Sequence, residues 1–177
     1  MLSTTELYFT EQGEGFPLLI IPGLFGSADN WRTLSKKFAE HYRVIALDLR
    51  NHGRSPHVDG MSYPDMAADV LALMDRLAIE KAHVLGHSMG GKVAMQLALN
   101  YPDRVEKLVV ADIAPVAYQG NHDAVFAGLN AVNLAVLKRR SDAEPALKAH
   151  IDDDGVRQFI LKNLYRDDNQ QFQWRIN

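Results

Sequence analysis

Four short apolar runs, each closed by a turn signal, alternate along the chain with stretches whose apolar positions recur every three to four residues. Leu18-Leu19-Ile20-Ile21 is apolar throughout and stops at Pro22-Gly23. Arg43 to Asp48, Ala82 to Leu85 and Lys107 to Asp112 repeat the form. A strand with no polar alternation is covered on both faces, as in a parallel sheet between helix layers. Between the runs, Asn30 to His41 spaces Trp31, Leu34 and Phe38 along one helical face. Ser62 to Leu77 opens with a capping serine, Pro64 in the first turn and Asp65 at the positive end. It turns Met66, Val70, Leu73, Met74 and Leu77 inward. Lys92 to Asn100 is a third helix, closed by Pro102. This alternation predicts an α/β fold, a mostly parallel sheet flanked by helices. The pattern changes at about residue 116. Residues 1–115 read as the N-terminal part of the sheet core and 116–177 as a helical cap. From Asn121 to Asn177 the chain is polar and helix-prone, with no apolar strand run. Phe126, Leu129, Leu134, Leu137, Phe159, Leu164, Phe172 and Trp174 give that cap an apolar side, for packing or for lining an acyl pocket.

Composition narrows the class. With 47% hydrophobic and 23% charged residues and a net charge of −3 over 177 residues, the chain has enough apolar surface for a core and too little charge for disorder. The balanced charge lacks the basic stripe that nucleic acid requires, so no such partner is expected. The longest apolar stretch, Phe16 to Phe25, is interrupted by Pro22 and Gly23 and is far short of the roughly 20 residues of a membrane span. The opening MLSTTELYFTEQ has neither the basic start nor the apolar centre of a signal peptide, and there is no cysteine. Both features lead to a cytoplasmic expectation. Lack of cysteine also removes a thiol nucleophile and thiolate metal sites. Asp152-Asp153-Asp154-Gly155 lacks the alternation and distant Glu of a calcium loop and reads as a helix cap; Lys138-Arg139-Arg140 reads as an exposed face.

Candidate chemistry sits at Gly86-His87-Ser88-Met89-Gly90, directly after one predicted strand and directly before a helix. A G-x-S-x-G turn in that setting reverses the chain within a few residues and leaves the serine hydroxyl exposed on a strained backbone. Gly86 and Gly90 are small because neighbouring backbone passes close by. Ser88 then stands at a helix N-terminus, where orphan N–H groups favour developing negative charge. The Met89 amide is one candidate donor to an oxyanion. Pro22-Gly23-Leu24-Phe25-Gly26 follows an earlier strand and offers the Leu24 amide as the second. Phe25 and His87 are candidates for the substrate pocket. Without catalysis, the same residues make two glycine-rich turns that pack.

These turns, with Leu47-Asp48-Leu49-Arg50-Asn51-His52-Gly53-Arg54-Ser55 and Asp112-Ile113-Ala114-Pro115-Val116, resemble the α/β-hydrolase superfamily, and within it the small bacterial YbfF-like esterases and their mitochondrial relatives. The resemblance runs over essentially the whole chain. It implies a Ser–His–acid triad and hydrolysis of esters or thioesters with small to medium acyl groups, with no metal or organic cofactor. It also implies Asp112 as the acid. One departure is visible: Pro22-Gly23 stands where the family has His-Gly. Because backbone donates to the oxyanion, the hole is expected to survive.

Position alone leaves the acid open. Asp112 ends a strand on the same sheet edge as Ser88, where catalytic groups collect, but it also suits a cap of the turn ahead of Pro115. Many members carry the acid after a later strand that this chain does not show. Asp48 reads as a turn organiser. In this fold the base follows the acid in the chain. Beyond Asp112 only His122 and His150 remain, both in the cap segment. His52 and His57 precede the nucleophile, His41 and His83 read as structural, and His87 is expected to point away from the hydroxyl. No base is assigned. The chain is therefore expected to be the N-terminal piece of an enzyme of about 250 residues, partnered by its C-terminal remainder and inactive alone. Rival readings are a C–C hydrolase, lyase or perhydrolase on the same fold, or a non-catalytic binding protein that keeps it.

Overall fold

A computed structural model describes residues 4–118 and 122–177. They form two compact units, residues 1–115 with Asn177, and residues 116–176. The predicted start of the polar segment, Asn121, lies outside the described residues.

The first unit is built on a five-stranded sheet of order β1-β3-β2-β4-β5, comprising β1 (Phe9–Gln12), β2 (Pro17–Ile21), β3 (Arg43–Leu47), β4 (Ala82–His87) and β5 (Val105–Ala111). Strands β3, β2, β4 and β5 run parallel, so all four carboxyl ends lie at one edge. The hydrophobic runs produce this arrangement: Leu19, Ile21, Ile45, Leu47 and Val84 are buried on the face covered by Val70 and Met74 of α2 (Tyr63–Arg76) and Val93 and Leu97 of α3 (Met89–Asn100). Leu18, Ile20, Val44 and Ala46 face the other way, toward Trp31 and Phe38. Ser62 caps α2 as predicted, its hydroxyl accepting the Asp65 amide at 3.2 Å.

Four details depart from the sequence reading. Strand β1 carries no sequence signal, because Phe-Thr-Glu-Gln is short and mixed; it joins as an antiparallel edge, pairing Phe9–Gln12 with Leu47–Val44. The helix expected from Asn30 to His41 is a 3-10 turn over Ala28–Trp31 followed by α1 (Arg32–Phe38). Leu34 is 44% exposed there, and Ser35 takes the inward position. Helix α3 begins three residues before Lys92, immediately after Ser88. Strand β5, expected to be covered on both faces, leaves Leu108 and Val109 exposed by 39% and 52%; among the described residues it pairs with β4 alone.

The second unit contains α4 (Asp123–Ala131), α5 (Glu144–Lys148) and α6 (Asp154–Leu161). It also contains a hairpin of β6 (Leu164–Arg166) and β7 (Phe172–Trp174), where the sequence predicts no strand. Three-residue strands are too short to show alternation. Leu147, Ile151, Ile160, Leu161, Leu164 and Phe172 are among its buried residues, whereas Phe126 is exposed. Asp153 caps α6 through the Val156 amide at 2.8 Å.

Candidate active site

The sheet register brings three predicted positions into one row. Ile21 pairs with Gly86, and Gly86 with Val110. Two residues further along each strand stand Gly23, Ser88 and Asp112. Neighbouring strands are about 5 Å apart, so the loop after β2 and the turn after β5 flank Ser88.

Ser88 has φ 52° and ψ −122°, a conformation costly for any residue with a side chain. Its N–H donates to Ala111 O at 2.9 Å, which fixes the turn to the end of β5. The glycines on either side permit it. A Cβ at Gly86 would overlap the Gly90 carbonyl, and one at Gly90 would overlap the carbonyl oxygens of Ile21 and Pro22. Met89 is the first residue of α3, so its N–H has no helical acceptor and is available to an anion.

The loop after β2 closes as a turn, Gly26 N–H donating to Gly23 O at 2.9 Å, with Leu24 and Phe25 at its centre. Phe25 has φ 61°, the left-handed value that a type II turn requires at its third residue. A Cβ at Gly23 would stand 3.1 Å from Ser88 Cβ, so the loop lies against Ser88. Phe25 is itself buried.

Asp48 anchors the chain beyond this loop. It is fully buried; one carboxylate oxygen accepts the Ala28 amide at 2.6 Å, the other the Arg54 amide at 2.8 Å. Burial pushes its carboxyl above the usual carboxylate range, although both amide bonds pull the other way. The carboxylate thus ties the loops after β2 and β3 together. Arg50 adds a second tie: its guanidinium grips buried Asp69 of α2 in a fork of 2.7 and 2.9 Å. Buried His52 lies in the same loop; its Nδ1 is 2.9 Å from Arg50 O and therefore carries the proton, leaving Nε2 buried and unpaired. Burial holds this imidazole below its ordinary pKa.

Asp112 follows β5 with φ 58° and a side chain 84% exposed. Its carboxylate comes within 3.7 Å of His87 Nε2, and the His87 ring meets the edge of Trp31 at 6.0 Å. His87 is therefore placed between Trp31 and Asp112, a juxtaposition that the chain order conceals. Among the described residues Ser88 Oγ makes no hydrogen bond to an imidazole. In the sequence Lys92 marks only the start of a helix, yet its Nζ donates to Ala114 O at 2.8 Å, two residues past Asp112. One signal points to it: it is the sole charged residue within α3. No group of three or more potential metal ligands gathers among the described residues.

Comparison with known proteins gives this edge a context. The family model described as alpha/beta hydrolase fold matches residues 17–151. The chain is 40% identical over 167 residues to Esterase YbfF of Escherichia coli K12, covering 94% of this chain and 64% of that protein. It is 39% identical over 177 residues to the sn-1-specific diacylglycerol lipase ABHD11 of Danio rerio, covering 96% of this chain and 56% of the other. The solved structure of a marine microorganism esterase superimposes with a TM-score of 0.94 at 40% identity, over 98% of this chain and 69% of that one. The chain spans about half to two thirds of the length of the curated relatives it matches.

Proposed function

The chain belongs to the α/β-hydrolase fold family, and from that premise we propose that it carries the nucleophile and acid of a serine esterase acting on carboxylic esters or thioesters with small to medium acyl groups. The observation that carries the proposal is the backbone of Ser88: a φ of 52° held between two sheet-edge turns and opening a helix. Such strain persists where the surrounding structure over-determines it, and here it presents a hydroxyl at a helix N-terminus. The esterase and lipase names of the relatives support the same chemistry.

In this reading Ser88 Oγ attacks the acyl carbonyl and gives its proton to an imidazole oriented by Asp112. The amides of Leu24 and Met89 hold the oxygen that becomes negative. Collapse of the tetrahedral intermediate breaks the bond to the alcohol or thiol, which leaves with that proton. Water then repeats the sequence on the acyl-enzyme and frees the acid. In this reading the imidazole comes from a histidine in a C-terminal remainder of the enzyme, and the relatives are longer than this chain. His87 and Phe25 border the acyl site. A fluorophosphonate probe tests the reading: the enzyme labels at one site and Ser88→Ala does not, whereas labelling that persists in Ser88→Ala overturns it. Hydrolysis of p-nitrophenyl acetate or butyrate separates an esterase from a C–C hydrolase or lyase of the same fold. No helix among the described residues is long and apolar enough to cross a membrane. With the cysteine-free composition, this supports a cytoplasmic setting; recovery of the enzyme in a secreted or membrane fraction counts against it.

A further inference from the structure

Asp112 lacks the usual means of holding a catalytic carboxylate still. Its side chain is almost fully exposed, and its φ of 58° is one that a residue with a Cβ leaves readily. Holding that conformation is costly, so the turn after β5 must be fastened from outside. The first turn of α3 provides three fastenings. The Ser88 amide bonds Ala111 O at 2.9 Å. Ile113 packs over Gly91, where a Cβ would stand 2.5 Å from Ile113 Cγ2. Lys92 Nζ donates to Ala114 O at 2.8 Å. The first two belong to the elbow backbone itself. The third depends on a side chain whose presence is electrostatically odd, because a cation in the first turns of a helix opposes the macrodipole. Its neighbours in α3, Val93, Ala94 and Leu97, are buried and apolar. Lys92 is itself half-buried, and its ammonium donates to the Ala114 carbonyl.

We propose that Lys92 is a positioning residue: its ammonium pins the turn that presents Asp112, so that the helix bearing the nucleophile also sets the place of the acid. The inference rests on the assignment of Asp112 as the triad acid. A charge-assisted bond to a backbone carbonyl is stronger than a neutral one, and it fixes the strand-to-loop exit without touching the carboxylate.

The test is kinetic and structural, made on the enzyme that carries this chain. Lys92→Met lowers kcat/KM for p-nitrophenyl butyrate about 10-fold, chiefly through kcat, because a misplaced triad member slows chemistry more than binding. Lys92→Arg, which keeps the donor, stays within about 3-fold of the parent. In an Asp112→Asn background the same Lys92→Met change has under about 2-fold effect, since no oriented carboxylate is left to misplace. Hydrogen exchange of the Ser88 amide, which bonds Ala111 O across the turn, rises about 10-fold in Lys92→Met, while Val93 and Leu97 keep their protection. Lys92→Met at parental activity beside an impaired Asp112→Asn overturns the role of Lys92 alone. So do equal losses in both backgrounds or unchanged exchange at the turn. Asp112→Asn at parental activity overturns the acid assignment, and the positioning role falls with it.

Discussion

Ser88, His52 and Gly90 show how single residues are committed at this edge. Gly90 has carbonyl oxygens of Ile21 and Pro22 where a Cβ would go. Gly90→Ala therefore forces β2 and α3 apart, and we expect a loss of about 3 kcal/mol in denaturant unfolding together with weakened probe labelling of Ser88. His52 makes a pH prediction. Its pKa is lowered in the folded protein, chiefly by burial, so the folded imidazole stays neutral where the unfolded one takes up a proton. The unfolded state binds more protons below the ordinary histidine value of about 6.5, and stability falls as pH drops through that value. Buried Asp48, raised by desolvation, has the opposite sign and favours the folded state as pH falls through its own range. Thermal unfolding of the parent and His52→Leu between pH 7.5 and pH 5, roughly the window histidine titration spans, isolates the first effect. The variant should show the flatter acid limb; identical slopes would exclude His52.

Elements are joined here by buried polar ties as well as by apolar contact. The Arg50–Asp69 fork connects the loop after β3 to α2, and Asp69 also accepts the Thr5 amide at 2.8 Å. Removing one partner leaves the other charged and buried, so Asp69→Ala should cost about 3–5 kcal/mol by urea denaturation. The cap of α2 is exposed and local, and Ser62→Ala should cost only about 1 kcal/mol in the same assay. Helix α2 is legible in the chain because its signals, a cap serine, an early proline and a 3.6-residue period, are all local. Strand β1 and the β6–β7 hairpin are not, because their stability comes from partners outside the strands themselves and their own residues are few and mixed. The two turns of α1 escape the pattern for a related reason: Leu34 has a core-facing spacing, but the chain enters through a 3-10 turn that rotates the helix and buries Ser35 instead.

Across the first unit, backbone strain is distributed in a pattern that points to function. Of the non-glycine residues with positive φ, Phe25, Asn51, Ser88 and Asp112 each follow one of the four parallel strands. Ala78 (φ 53°), just after α2, is the one other such residue of this unit among the described residues, and the concentration of the remaining four at one edge marks it as the place where geometry is imposed rather than relaxed. The proposal that the base lies in the C-terminal remainder makes a prediction at this scale. The 177-residue polypeptide should turn over p-nitrophenyl butyrate no faster than its Ser88→Ala form, and the protein extended by that remainder should show Ser88-dependent turnover. Ser88-dependent turnover by residues 1–177 alone would place the base among the histidines already present.

The Gly86–Gly90 turn can be read from the chain because strand, turn and helix are consecutive and their constraints act within a few residues. The same holds for the parallel core, whose apolar runs need cover on both faces. Partners brought together only by folding lie beyond such a reading: the ties of Asp48 to Ala28 and Arg54, the approach of His87 to Asp112, and the reach of Lys92 to Ala114. Sheet register determines which strand ends lie side by side, and register depends on packing summed over the whole core. Residue chemistry is a local property of the polymer; the company each residue keeps is settled only when the sheet closes its pairings.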